Sequence, residues 1–272
     1  MHEHISHAAD SRVETFTFRV EPFHVDFSGH LFLGILGNHL LNAADHHSDR
    51  RGWGITYLLA HNCTWVLSRL CIEMSEMPRQ YELVVVETWV EDVIRLFTSR
   101  NFLIRSAADG HVYGYARSIW AMIDTHTRQP VDLLSFKDGD ILQYVIPAEE
   151  KACPIARHGR VRVAAAEPVR RVHTYYDDVD INGHINSIKY VEHVLDLFPR
   201  ERFATQRIRR FEIAYKSEAL WGDDLCFHMQ ETASPADGIA TESDIEIRRH
   251  EAGDLAAKAE TTCQVKLIWV QA

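Results

Sequence analysis

The stretch VDINGHINSIKYVEHVL, residues 179–195, repeats an earlier stretch of the same chain, VDFSGHLFLGILGNHLL, residues 25–41. The two align at a shift of 154 positions, and the coinciding residues are Val25/Val179, Asp26/Asp180, Gly29/Gly183, His30/His184, His39/His193 and Leu41/Leu195. Further matches follow in the same order at shifts of 141 and 143 positions. Ordered self-similarity indicates a repeated structural unit. The sequence therefore predicts a duplicated domain.

Each copy has the same order of predicted elements. A strand-like run leads through a polar loop into one helix, because apolar residues recur at helical spacing near residues 31–48 and 187–198. Asn186 or Ser187 is the expected N-cap of the second helix, and Pro199 is expected to end it. About four or five strand-like runs follow each helix. This order predicts an α+β fold of tandem (double) hot-dog type, each half a long helix wrapped by an antiparallel sheet.

The predicted domain bounds follow from the repeat. Residues 11–148 form the N-terminal hot-dog domain, and residues 167–272 form the C-terminal one, which carries the polar loop of the opening stretch. Residues 149–166 have no clear period and are expected to link the halves. Residues 1–10 are expected to be a disordered tail.

Composition narrows the class of protein. The 272 residues include 29 basic and 39 acidic ones, a net charge of −10, which argues against a nucleic-acid partner. The longest apolar runs are far shorter than a bilayer span, so no membrane association is expected. The five cysteines form no CxxC pair and are an odd number, which favours reduced thiols in a cytoplasmic protein.

The polar loop at residues 177–190 matches part of a calcium-binding pattern. Asp178, Asp180, Asn182 and Gly183 fit its first half, D-x-D-x-N-G. The pattern requires a bidentate Glu at its twelfth position, where this chain has Lys189. An ammonium group would repel the ion, so we expect no metal here.

Two other interpretations of the loop remain open. As a helix-entry loop, its Asp and Asn side chains would bond to the local backbone, and Gly183 would permit the turn. As an active site, it would explain a difference between the copies, because the first copy has Ser28 where the second has Asn182. A loop kept only for folding gives little reason for that difference. The asymmetry favours one active site, in the second half.

The side chains of this loop suit acid–base chemistry. His184 precedes a helix, whose N-terminal potential favours a neutral imidazole that can relay a proton. Asn182 can polarise a carbonyl or hold a water, and Asp180 can orient either neighbour. The loop itself supplies no base or nucleophile for an attack. The chain has no G-x-S-x-G elbow, which argues against a serine hydrolase.

Four segments resemble one family, the acyl-[acyl-carrier-protein] (acyl-ACP) thioesterases of plant plastids and bacteria. DVDINGHINSIKYVEHVLDLFP is similar to its D-x-N-x-H-V-N-N-x-K-Y block, and RRFEIAYKSEALWGDDL is similar to its L-E-Y-R-x-E strand. In the first half, WVLSRLCIEMSEMPRQYELVVVETWV and RSIWAMIDTHTRQPVDL resemble its W-V-x-x-R and T-R blocks. The matches run in order from about residue 13 to residue 230.

The resemblance implies a tandem hot-dog enzyme that hydrolyses the thioester of fatty acyl chains on ACP, without a metal or organic cofactor. By motif position, the catalytic residues would be Asp180, Asn182, His184 and an acidic residue on the next strand, Glu218. Glu218 would activate water or attack the thioester itself, His184 and Asn182 would orient the reacting groups, and Asp180 would hold them. Plant members usually have a Cys after this Glu, but here the position is Ala219.

Several alternatives stay open beside acyl-ACP hydrolysis. An acyl-CoA thioesterase differs only in the carrier, and a non-catalytic acyl-binding protein would lack turnover. An enoyl-thioester hydratase usually reads D-x-N-P-x-H, whereas His184 comes four residues after Asp180 and no Pro intervenes. A homodimer is compatible with the sequence. An acidic carrier would need a local basic face, and the candidates are Arg207, Arg209, Arg210, Arg160, Arg162, Arg170 and Arg171.

Overall fold

The chain divides into two compact units between Ala156 and Arg157. The computed structural model describes residues 12–164, 167–233, 240–251 and 259–272. The predicted disordered tail, residues 1–10, lies outside the described residues. The predicted domain bounds at 148 and 167 remain predictions.

The described part of the first unit contains one long helix and five antiparallel strands. In chain order its elements are β1 (Val13–Arg19), α1 (Leu33–Asp49), α2 (Ile55–Ala60), β2 (Cys63–Met74), β3 (Leu83–Val93), β4 (Thr98–Ser106) and β5 (Val112–Asp124), with 3-10 segments at Pro22–His24 and Phe136–Tyr144. The sheet order is β1-β3-β4-β5-β2, and every neighbouring pair is antiparallel.

Helix α1 packs on β1 and β3 through one apolar face. Leu36 and Leu40 are fully buried, as the helical spacing of the sequence predicts. Burying a leucine side chain contributes about 1.5–3 kcal/mol, so this face is a major source of the unit's stability. The helix begins at Leu33 and ends at Asp49, close to the predicted range of 31–48.

His39 lies in this apolar packing without a polar partner. Its ring stacks on Phe18, with centroids 3.6 Å apart and planes at 10°. Neither ring nitrogen has a hydrogen-bond partner among the residues that the structure describes. Burial, and then the charge of His24, lower the pKa of His39 to about 4. The imidazole is therefore neutral at neutral pH.

The second unit repeats the arrangement of the first. Its elements are β6 (Arg170–His173), α3 (Ser187–Leu195), α4 (Arg200–Thr205), β7 (Gln206–Tyr215), β8 (Asp224–Ala233), β9 (Thr241–His250) and β10 (Glu260–Gln271), with a 3-10 turn at Tyr176–Asp178. The sheet order is β6-β8-β9-β10-β7, again antiparallel throughout. Replacing each strand by its counterpart gives the order of the first unit, so the predicted duplication and the α+β class are confirmed.

Helix α3 covers one face of the second sheet. Tyr190 contacts Tyr215 of β7, and His193 contacts Phe227 of β8. Asn186 is the N-cap, because its side-chain oxygen accepts a hydrogen bond from Ile188 N at 2.8 Å. The helix ends at Leu195 rather than near 198. A turn separates it from Pro199, which instead precedes α4.

The opposite face of the second sheet is polar and is crossed by residues 157–164. Gly159 N donates to Glu212 of β7, Arg162 N to Asp244 of β9, and Ala164 N to Gln230 of β8. Arg210 is only 5% exposed, because its guanidinium pairs with Glu212 and donates to Arg157 O at 3.0 Å. The proposal of Arg210 as a surface docking residue is therefore wrong.

Candidate active site

The side chains of His184 and Glu218 lie in contact in the second unit. His184 Nε2 lies 3.3 Å from Glu218 Oε2. The side chains are 26% and 40% exposed, so water can reach both groups. The approach of 3.3 Å places the imidazole beside the carboxylate, close enough for one group to influence the protonation of the other. The structure thus joins two of the four residues predicted from the sequence.

Asp180 holds the loop that carries His184. Its Oδ1 accepts hydrogen bonds from the backbone N–H groups of Asn182, at 2.8 Å, and His184, at 3.2 Å. Asp180 N donates to His184 O at 2.8 Å, which closes the turn. Gly183 has a φ of +79°, a conformation that glycine adopts without steric cost. Asp180 therefore positions the backbone of the loop rather than the imidazole ring.

Asn182 lies on the same turn and is exposed. Its side chain makes no hydrogen bond to any residue that the structure describes. An exposed amide beside the His184 turn has both a donor and an acceptor available for a ligand. The structure therefore places Asn182 on the site loop but does not join it to Glu218.

Glu218 lies in the loop after β7, not on the strand as the family pattern implies. Strand β7 ends at Tyr215, three residues earlier. The loop is held by Ile185 N donating to Ala219 O at 2.9 Å and by Leu220 N donating to Asp223 Oδ2 at 2.8 Å. The first of these bonds ties the Glu218 loop to the His184 loop, so the two side chains meet.

The first unit has the same pair of loops but not the same side chains. Ser28 N and His30 N donate to Asp26 Oδ1 at 2.8 and 3.2 Å, the distances found at Asp180. Leu31 N donates to Pro78 O, and the equivalent Ile185 N donates to Ala219 O, so Pro78 corresponds to Ala219. The residue before Pro78, Met77, is therefore the counterpart of Glu218. His30 Nδ1 instead contacts Ser28 Oγ at 2.8 Å. The loop is thus a folding device in both units, and only the second unit adds the carboxylate.

Asp178 and His193 form a second acid–histidine contact that the sequence analysis missed. His193 Nε2 lies 2.8 Å from Asp178 Oδ1, while Asp178 Oδ2 accepts from Tyr175 N at 2.8 Å. Asn186 N donates to Asp178 O at 2.8 Å. This contact anchors α3 to the start of the site loop. His39 occupies the position of His193 in the first copy of the repeat, and this recurrence was the sequence signal that pointed to a role for His193.

The acidic residues of this loop are engaged with the protein itself. Within the described residues, no group of three or more His, Cys, Asp or Glu side chains could hold a metal ion. The oxygens of Asp178 and Asp180 that would begin a calcium loop accept hydrogen bonds from the backbone and from His193.

None of the helices in the described part of the chain is long and apolar enough to cross a bilayer.

Family models match both halves of the chain. The acyl-ACP thioesterase N-terminal domain matches residues 12–135, and the C-terminal domain matches residues 163–269. An acyl-ACP thioesterase from Bacteroides thetaiotaomicron with a known crystal structure is 44% identical in sequence to this chain. The two structures match over 97% of this chain and 100% of the Bacteroides chain, with a TM-score of 0.82. This chain belongs to the acyl-ACP thioesterase family.

More distant members of the acyl-ACP thioesterase family agree in fold. The 12:0-ACP thioesterase from Umbellularia californica is 19% identical, with a TM-score of 0.79 over 96% of this chain and 95% of its own. These structures confirm the double hot-dog fold. A chloroplast acyl-[acyl-carrier-protein] hydrolase from Cuphea viscosissima is 28% identical over 57% of this chain and 38% of its own length. The matches to the curated relatives span about half of those proteins' length or less.

The cysteines of this family member are poor candidates for a nucleophile. All five are free, and Ala219 occupies the position after Glu218. Burial raises the pKa of the Cys226 thiol and of the fully buried Cys263 thiol, so both stay protonated at neutral pH. A thiol is a far weaker nucleophile than a thiolate.

Replacing Cys226 or Cys263 by Ala should therefore leave kcat within about twofold of the wild-type value. The expected loss is in stability, about 1 kcal/mol for a small buried side chain, and urea unfolding would measure it. Near-complete loss of hydrolysis in a normally folded Cys226→Ala or Cys263→Ala protein would contradict this assignment. Treatment of the wild type with N-ethylmaleimide under native conditions provides an independent control.

Proposed function

We propose that this chain hydrolyses the thioester of fatty acyl-ACP and releases a free fatty acid, which ends chain elongation. Membership of the acyl-ACP thioesterase family supports the activity and the substrate class. The observation that carries the proposal is the contact between His184 and Glu218, found in the second unit on a loop that the first unit shares without the carboxylate. The residue roles below are part of the same proposal.

In the proposed reaction, Glu218 acts as a general base. Its carboxylate takes a proton from water, and the hydroxide attacks the thioester carbonyl carbon to form a C–O bond. The C–S bond then breaks, and the leaving thiolate receives the proton, so the products are a carboxylic acid and a thiol. His184 keeps the carboxylate oriented toward the water. The exposed amide of Asn182 is placed to hydrogen-bond the water or the carbonyl oxygen.

The alternative role for Glu218 is direct attack on the thioester, which would form a mixed anhydride. The two roles differ in where the solvent oxygen goes. A single turnover in ¹⁸O-labelled water would place the label in the fatty acid if Glu218 is the base. If Glu218 is the nucleophile and water attacks the glutamyl carbonyl of the anhydride, the label enters the glutamate instead. Mass spectrometry of the peptide containing Glu218 distinguishes these outcomes.

The test of the function is a panel of acyl-ACP and acyl-CoA thioesters, assayed for free fatty acid and free thiol. We expect hydrolysis of both carriers, with a higher kcat/KM for acyl-ACP of the same acyl chain. A preference for acyl-CoA would make the chain an acyl-CoA thioesterase. Hydration of an enoyl thioester without release of thiol would support the hydratase, and binding without turnover would support an acyl-binding protein.

We also propose a docking face for the acidic carrier in the second unit. Arg171 is exposed on the edge strand β6, which leads directly into the site loop, and Arg209 is exposed on β7, which leads to Glu218. Arg160 and Arg162 are also exposed, whereas Arg170 pairs with Asp196 at 3.5 Å. Arg207, the remaining candidate, is partly buried on β7. An acidic carrier would need exposed basic residues of this kind near the site, because the net charge of the chain is −10.

Charge reversal at Arg171 and Arg209 together should raise KM for acyl-ACP by roughly 3- to 10-fold at low salt, because exposed charge pairs are worth up to about 1 kcal/mol each. The effect should shrink at physiological ionic strength, where the screening length is about 8 Å. Hydrolysis of a short acyl-CoA should change little. Arg19→Glu, at an exposed arginine of the first unit, is the control, and equal losses on both substrates would assign Arg171 and Arg209 to the fold instead.

The cellular location and the assembly complete the proposal. Five free cysteines support a reducing compartment such as the cytoplasm. A homodimer remains a prediction, which sedimentation equilibrium of the full chain would test.

A further inference from the structure

A tyrosine hydroxyl links the two segments that carry His184 and Glu218. The Tyr215 hydroxyl donates to Ser187 O at 2.9 Å. Tyr215 is the last residue of β7, and the loop with Glu218 begins directly after it. Ser187 is the first residue of α3, and the loop with His184 ends directly before it. The bond therefore fastens the strand that leads to the carboxylate to the helix that follows the imidazole.

The Tyr215 ring is restrained by packing as well as by this bond. It meets the ring of Tyr190 edge-on, with centroids 6.1 Å apart and planes at 68°. Tyr190, on α3, is itself buried. Burial, and then the neighbouring Cys263 and Tyr190, raise the pKa of Tyr215 well above its usual value. The hydroxyl is therefore protonated at neutral pH and remains a donor.

The first unit has apolar side chains at the same places. The shift of 141 positions places Met74 opposite Tyr215, and the shift of 154 positions places Leu36 opposite Tyr190. Met74 and Leu36 are both buried, and a thioether has no hydroxyl to donate. Apolar volume is therefore sufficient to pack this part of the fold.

The two loops are already joined in both units by a backbone bond. Ile185 N donates to Ala219 O in the second unit, and Leu31 N donates to Pro78 O in the first. That bond brings the loops together even where no carboxylate follows. The Tyr215 hydroxyl adds a further bond in the unit that has the carboxylate. Burying a hydroxyl costs free energy that an apolar side chain avoids, so packing alone does not account for it.

We propose that Tyr215 is a positioning residue for the hydrolysis, and that its bond to Ser187 O sets the separation of the imidazole and the carboxylate. This inference rests on the proposed function. Tyr215 acts through His184 and Glu218 and not on the substrate. While the bond holds α3 against the end of β7, Nε2 and Oε2 stay 3.3 Å apart. Without it, the loops keep their backbone bond but can shift by fractions of an ångström, which is enough to slow a reaction that depends on alignment.

Tyr215→Phe, which removes only the hydroxyl oxygen, is the test on the full chain. It should lower kcat for acyl-ACP hydrolysis by roughly 3- to 30-fold, because misplaced reacting groups are costly. KM should change by less than about twofold, because the hydroxyl makes no contact with the substrate in this proposal. Steady-state release of free fatty acid measures both constants. The loss of one hydrogen bond should also lower the melting temperature by about 2–4 °C.

Tyr113→Phe is the matched control in the first unit. Tyr113 is buried, and its hydroxyl donates to Glu82 Oε2 at 2.8 Å. This variant loses a hydrogen bond of the same kind, so its melting temperature should fall at least as far as that of Tyr215→Phe. Its kcat should stay within about twofold of the wild-type value. The pair of variants separates a loss of stability from a loss of alignment.

A double variant tests whether Tyr215 acts through the carboxylate. In a Glu218→Gln background there is no base left to align, so adding Tyr215→Phe should lower kcat by less than a further twofold or so. A purely structural role would give the same fold-loss in both backgrounds. Full activity of Glu218→Gln alone would refute the proposed role of Glu218. A normal kcat for Tyr215→Phe beside an inactive Glu218→Gln would refute only the positioning role.

Three outcomes would overturn the proposal. They are a kcat for Tyr215→Phe within twofold of the wild-type value, a raised KM at unchanged kcat, and an equal fold-loss with and without Glu218. If Tyr215→Phe fails to fold, Tyr215→Met takes its place, because Met74 shows that this side chain fits the scaffold. The same kcat, KM and double-variant measurements on Tyr215→Met then decide the question.

Discussion

Glu218→Gln and His184→Ala should each lower kcat for acyl-ACP hydrolysis by roughly 10²–10⁴-fold, the usual cost of losing a positioned acid–base group. Gln keeps the size of Glu218 but cannot take a proton from water. Ala removes the ring that lies 3.3 Å from the carboxylate and orients it. Steady-state release of fatty acid measures the loss, and far-UV circular dichroism and the melting temperature establish that each variant is folded.

The first unit provides matched controls for these variants. His30 lies on the turn of the first unit that corresponds to the His184 turn of the second, and Met77 is the counterpart of Glu218. His30→Ala and Met77→Gln should therefore change kcat by less than about threefold, because no carboxylate stands at position 77 to act with His30. Loss of activity in the first-unit variants with retention in the second-unit ones would place the catalytic site in the other half.

Acidification should destabilise the fold through His39. Its pKa is about 4 in the folded chain and about 6.5 when unfolded, so above pH 6.5 the ring is neutral in both states. As pH falls from 6.5 toward 4, the unfolded chain binds a proton that the folded chain does not. The free energy of unfolding should therefore fall by about 1–2 kcal/mol between pH 7 and pH 5 from this residue alone.

His39→Leu isolates this contribution. Leucine suits the apolar surroundings of Phe16 and Phe18 and cannot be protonated, so the variant should lose about 1–2 kcal/mol less than the wild type over the same pH range. Urea unfolding at pH 7 and pH 5 measures both proteins. His126→Gln, at an exposed histidine, should retain the wild-type pH dependence. A pH dependence unchanged by His39→Leu would show that other groups, such as buried His47, account for it.

The architecture was accessible from the sequence because it is duplicated. Local apolar spacing located α1 and α3, and the coincidence of Asp, Gly and His at a fixed shift marked the turns that begin them. Asn186 was recognisable as an N-cap because capping depends on residues adjacent in sequence. Such local signals require no knowledge of distant contacts.

What the sequence could not reveal depends on contacts between distant residues. Arg210 alternates with apolar residues along β7, a pattern that indicates a polar, exposed face, yet residues 157–164 cross that face and bury it with Glu212. The contact of Glu218 with His184 joins positions 34 residues apart, and only the family resemblance suggested it. The pairing of Asp178 with His193 required the turn geometry.

The shared turn has a consequence for how catalysis is gained or lost. Its framework consists of backbone bonds and one aspartate, Asp26 or Asp180, and the side chains proposed for the chemistry lie outside that framework. Substitutions of the side chains proposed for catalysis should therefore leave this framework intact. The first unit already has the histidine, so Ser28→Asn and Met77→Glu would give it the same set of side chains that is proposed for catalysis in the second unit. The two units therefore share one scaffold, and the proposed difference in chemistry between them depends on side chains that the scaffold does not require.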